Sequence, residues 1–225
     1  MTDLHTSHEW SKSTKIVVTA LIAVLAGAAY YIGSTGLVAV DASQPFRPIA
    51  FTVIVPVALF FTAYALSSRL RTFVLALDLR TLTMLQLWRV LGFSFLFLYA
   101  HDALPAAFAW PAGFGDILIG FTAPFVVARL ARDPAFSTSR RFITFHALGL
   151  LDFAVAVTAA TLASGAYPAV FSGAVTSAPM EVWPVILFPS FFVPLFIIAH
   201  VVVILKVRAL RREANGRVGT ALQAA

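Results

Sequence analysis

A chain of 225 residues that is 60% hydrophobic and only 12% charged has too few polar residues to clothe a soluble core. Its net charge of +6 comes from Lys and Arg gathered in alternate segments between apolar runs, so nucleic acid is not an expected partner. The lack of cysteine excludes disulfides, thiolate metal sites and cysteine nucleophiles.

In chain order, residues 1–13 read as a polar tail. Lys12 and Lys15 then lead into a first apolar run, Ile16 to about Val40. The run is too long for the core of a signal peptide and lacks a cleavage site, so it is expected to stay as a helix. A second run covers about Pro48–Ser67. It is followed by a segment in which Leu70, Phe73, Val74 and Leu77 alternate with Arg69, Arg71 and Arg80, suited to lying along a membrane surface. Further runs follow at about Leu82–Ala100, Gly113–Leu130, Phe142–Ala163 and Val185–Val207, each long enough to cross a bilayer. The expected fold is all-α: a polytopic integral membrane protein with six transmembrane helices in one domain, 14–207, and a basic tail, 208–225.

Lys and Arg decide the orientation. The N-terminal tail, the segment around Arg71, the segment Arg129–Arg141 and the C-terminal tail are basic, whereas the three alternate loops hold only Arg47. Both termini on the cytoplasmic side of a bacterial inner (plasma) membrane satisfies every loop at once. The helices expected to run outward-to-inward carry Pro56, Pro124 and Pro194 in their interiors, each freeing a backbone carbonyl.

Charged residues inside apolar helices are costly and mark sites. Arg89 lies about 13 Å beyond Arg80 along its helix, and Asp152 about 16 Å beyond Arg141, so the two reach comparable depth with opposite charge. Gln86 stands three residues before Arg89, on the same face. Gly149, Ala156 and Ala163 give the Asp152 helix a small-residue face for close contact. Asp116 follows Pro111-Ala112-Gly113-Phe114-Gly115 and is expected at the outer entrance of its span. Gln86, Arg89, Asp116 and Asp152 are thus the candidate substrate- or proton-binding residues. His146 and His200 match in depth on two helices and could ligate a haem b axially. No dedicated metal site is expected: a zinc set of His146, Asp152 and His200 would need residues about 120° apart on one helix to converge.

Two resemblances can be drawn. Gly113-Phe114-Gly115-Asp116 resembles the Gly-x-Gly-Asp motif of intramembrane aspartyl proteases, with Asp152 as the second aspartate. The order of the two aspartates is reversed, however, no Tyr precedes Asp152, and no Pro-Ala-Leu follows. The segments Gln86–Gly92, Ala112–Ile117, Gly149–Asp152 and Phe188–Leu195 are similar to those of a group of small six-helix bacterial inner-membrane proteins to which no function attaches. That resemblance implies the membrane fold and no activity. The expected function is a small proton-linked transporter or carrier with a midplane polar site, acting on a small solute within the lipid bilayer. The alternatives are a haem-binding electron-transfer subunit and a non-catalytic membrane subunit.

Overall fold

The computed structural model describes residues 12–41 and 44–223, so residues 1–11 of the expected N-terminal tail fall outside the description. Among the described residues there is no strand. The helices are α1 (Lys12–Thr35), α2 (Ala50–Leu66), α3 (Ser68–Ala76), α4 (Leu79–Ala100), α5 (Ala106–Arg132), α6 (Arg140–Leu162) and α7 (Val193–Gln223). Five helices are long and apolar enough to cross a membrane, and α2 with α3 makes a sixth span if the pair is counted as one.

Turn chemistry sets where these helices stop. α1 ends five residues earlier than the apolar run suggests, because Gly36 takes a left-handed φ of 66°. Leu37 N–H then reaches back to the Ile32 carbonyl at 3.2 Å, a bond that closes a helix end. Ser67, extended at φ −110°, accepts from Leu70 N–H and starts α3, which leaves α2 at 108°. Asp78 caps α4 through Thr81 N–H, and Ser139 caps α6 through Phe142 N–H. In α3, Val74 is buried while Ser68, Arg69, Arg71 and Thr72 are exposed, so its apolar edge faces the protein.

The expected fourth span is the main correction to the helix boundaries. It begins at Ala106 rather than Gly113, and Pro111-Ala112-Gly113 is helix rather than a turn. Pro105 ends the loop after α4, and Pro111 is absorbed in the second helical turn. Asp116 therefore lies ten residues inside α5, about 15 Å from its start, and not at an entrance. The last helix also runs on, unbroken, to Gln223 where a tail was expected from residue 208.

Two departures from α geometry shape the interior. Leu85–Gly92, in the middle of α4, is wound as a 3₁₀-helix of eight residues, about twice the usual length of such runs. Residues three apart eclipse in that winding, so Gln86, Arg89 and Gly92 are all buried on one face. The second departure is a π-helical turn at Phe188–Phe192, just before α7.

α5 packs along α4 and α6, and α7 closes the bundle against α6, α2 and the start of α4. α1 is peripheral. It meets the rest where the Tyr30 ring stands edge-on to Trp183 and where Trp183 N–H points at the Gly33 carbonyl. One apolar cluster (Phe95, Leu104, Phe108, Ala109, Ala112, Ala163, Met180) fills the end near the loop 101–105. Another (Leu79, Leu130, Phe142, Val203, Val207) fills the end where the basic segments lie. The outer surface is apolar too, with Trp88, Phe93, Phe97, Phe114, Leu118, Phe121 and Phe125 exposed.

Phe142 is wholly buried, edge-on to both Phe136 and His146. Phe142→Ala should cost about 3–5 kcal/mol. Unfolding in detergent monitored by circular dichroism checks this.

Candidate functional site

Between the two apolar clusters lies a polar layer built on Arg89. The 3₁₀ stretch aims its side chain inward, where it is fully buried. Nε donates to Asp116 Oδ1 at 2.8 Å, and Nη2 donates to Asp152 Oδ2. Nη1 points both at the Gly149 carbonyl (3.1 Å) and at Nε2 of His200 (3.2 Å). The guanidinium carbon lies 4.0 Å from the centre of the Phe153 ring, a cation–π contact. Three helices, α5, α6 and α7, thus converge on one side chain of a fourth.

Glycines make the convergence possible. A Cβ on Gly115 would run into the Asp152 carboxylate, and one on Gly149 would run into the His200 ring. The Gly-x-Gly-Asp segment therefore works in this chain as a packing device: Gly115 admits the neighbouring acid, while Asp116 binds the arginine. The pair of aspartates is close in depth, against the sequence expectation, yet Arg89 stands between them. A protease dyad instead needs two carboxylates that share a proton directly.

From Arg89 a chain of hydrogen bonds runs toward the basic end of the bundle. His200 Nδ1 faces His146 Nδ1 at 2.8 Å, His146 Nε2 faces Thr83 Oγ1 at 3.4 Å, and Thr83 Oγ1 donates to the Leu79 carbonyl at 2.7 Å. A guanidinium can only donate, so His200 accepts at Nε2 and donates at Nδ1. His146 then accepts at Nδ1 and donates at Nε2 to the threonine. One end of the relay thus sets the direction of every bond in it.

This arrangement bears on the other sequence expectations. The two histidine rings touch each other directly, leaving no slot between them for a porphyrin, so the geometry does not fit axial ligation of one haem. Asp152 is separated from both histidines by Arg89, and no group of three His, Cys, Asp or Glu among the described residues could hold a metal ion. Gln86, three residues before Arg89, is completely buried, and both its amide atoms lack a hydrogen-bond partner among the described residues.

Beyond the cluster, toward the opposite end, is a cavity of about 100 Å³. Arg89 and Asp116 form part of its inner wall, and aromatic and aliphatic side chains including Phe95, Phe108, Phe153, Phe188 and Phe192 form its sides. A second buried ion pair, Arg47–Glu181, stands at its far wall. Arg47 Nε donates to Glu181 Oε1 at 2.9 Å, Arg47 Nη1 donates to the Asp41 carbonyl, and Glu181 Oε2 accepts from Val40 N–H. Sequence reasoning missed this pair. The signal was present: Arg47 is the lone cation of its set of loops, and Glu181 the lone acid of the loop 164–184.

All four segments singled out by resemblance reach this region: the 3₁₀ stretch, the Gly-rich turn of α5, the Gly149 carbonyl with Asp152, and the π-helical turn. Together they define an all-helical bundle with membrane-length apolar helices around a buried ionic cluster and an adjoining cavity. The chain belongs to an uncharacterised family described as "Domain of unknown function (DUF8737)", whose model matches residues 46–208. α1 lies before that match, in keeping with its place at the edge of the bundle. Comparison with curated proteins and with solved structures gives no match.

Removing the charge of Arg89 strands two carboxylates, whereas removing either aspartate leaves it one partner. Arg89→Gln should therefore lower unfolding free energy by about 3–5 kcal/mol, and Asp152→Asn by less. The double variant should lose less than the sum of the two, as a double-mutant cycle in detergent would measure. Gly115→Ala should reproduce the Asp152→Asn loss, since it pushes the same carboxylate away.

Proposed function

We propose that this chain is a six-span membrane protein whose cavity serves a small proton-linked transporter or carrier. The apolar outer surface favours a bilayer, and the charged side chains of the spans, Arg89, Asp116 and Asp152, are turned inward to one another. The distribution of basic residues favours both termini, the α3 region and the Arg129–Arg141 segment on the cytoplasmic side.

One observation carries the transport reading: two carboxylates share one guanidinium, and Arg89 with one of them, Asp116, forms part of a cavity wall. Such a cluster has one negative charge in excess, which is expensive in a desolvated site until a proton or a cation answers it. A group that gains and loses a proton there changes the hold on Arg89, coupling the proton to the shape of the cavity wall. The discontinuous windings of α4 and of the entry to α7 resemble the broken helices that build midplane sites in secondary transporters.

Reporter fusions after His101 and after Gly173 should give an extracytoplasmic signal and a fusion at Arg132 a cytoplasmic one. The reverse at Arg132 would end the six-span topology. Proton exchange is read without a substrate by infrared difference spectra of the protein in lipid, recorded across about pH 4 to 9. A protonated-carboxyl band should come and go with pH and vanish in Asp116→Asn or Asp152→Asn. A band absent at every pH would remove the proton from the mechanism.

A further inference from the structure

Resting on the carrier reading, we infer that the cavity between Arg89–Asp116 and Arg47–Glu181 binds a small organic monocation with an apolar body, of the alkylammonium class. The first argument is who has hydrogen-bonding capacity left. Arg89 directs four of its five N–H groups to Asp116, Asp152, His200 and the Gly149 carbonyl. Arg47 spends its nitrogens on Glu181 and the Asp41 carbonyl. Each cation is already paired with carboxylate, so neither offers an unanswered charge to an anion. Asp116, in contrast, uses Oδ1 for Arg89, and among the described residues its Oδ2 has no hydrogen bond.

The second argument is charge. Arg47 and Glu181 cancel, whereas Arg89 faces two aspartates, Asp116 at the cavity wall and Asp152 behind it, so the cluster beside the cavity carries one negative charge in excess. The third is the lining. Phe95, Phe108, Phe188, Phe192 and Phe196 present rings to the space, which suits a cation wearing alkyl groups better than a hydrated metal ion. The fold already holds a guanidinium against Phe153 in the same wall. Size sets the upper limit: about 100 Å³ is less than the roughly 150 Å³ of an apolar cavity that accepts benzene.

The ammonium group would sit on Asp116 and the alkyl group among the phenylalanines. Its charge takes the place of the proton, so binding should release one.

The test is calorimetric titration of the full chain in detergent with propylammonium, propionate and 1-propanol. Propylammonium alone should bind saturably, acidify a weakly buffered sample, and lose about tenfold or more in affinity in Asp116→Asn. Ala156→Leu fills the cavity without touching a charge and should abolish binding, which keeps the proposal testable if Asp116→Asn does not fold. Propionate binding as tightly as propylammonium, or propylammonium binding undiminished in Ala156→Leu, would overturn the assignment. A pH-dependent carboxyl band with no propylammonium binding would overturn this ligand class and leave the proton-linked reading standing. Propylammonium binding without acidification would uphold the ligand class and remove the coupling.

Discussion

A guanidinium shut away from solvent must find its counter-charges within the protein, and Arg89 finds two. Everything near it can be read as a consequence. α5 must come close enough for Asp116, so Gly92 and Gly113 lie where those helices cross. α6 must offer both a carboxylate and a bare carbonyl, which Asp152 and Gly149 do within one turn. α7 must present an acceptor, and His200 is held as one by the relay through His146 to Thr83. Removing the arginine would leave polar groups of three helices, α5, α6 and α7, without the side chain they converge on.

The two buried ionic groups, Arg89 with its aspartates and Arg47 with Glu181, divide the labour of the bundle. The inner one joins helices and belongs to the polar layer between the apolar clusters. The outer one joins two loops: Arg47 precedes α2, and Glu181 lies in the long segment after α6. That segment is also tied to the end of α6 by Ser177, which donates to the Ala160 carbonyl at 2.6 Å. The loop is thereby held across one end of the cavity, close to the Phe188–Phe192 turn that forms part of its side.

The sequence made some of this legible through arithmetic on helices. Counting residues from the basic ends put Arg89 and Asp152 at one depth, and put His146 level with His200. Asp116 was singled out, but its depth escaped because a stretch of Pro, Ala and Gly looks like a loop. Here the small residues serve close packing inside a helix, a role that composition does not distinguish from a turn. The Arg47–Glu181 pair escaped for a different reason: its partners are 134 positions apart in irregular segments, where no periodicity reports on proximity. The direct contact of the two histidine rings was invisible as well, since depth along a helix says nothing of the angle around it.

For Arg89 the angle around the helix is set by the 3₁₀ segment. From Leu85 to Arg89 the chain advances four residues at about 2.0 Å and 120° each, where an α-helix would advance about 1.5 Å and 100°. Rewinding the segment as α would screw Arg89 about 80° around the axis and draw it back about 2 Å. Either displacement is larger than a hydrogen bond tolerates, so the pitch of the backbone, more than the rotamer of the side chain, holds Arg89 in register with its acids.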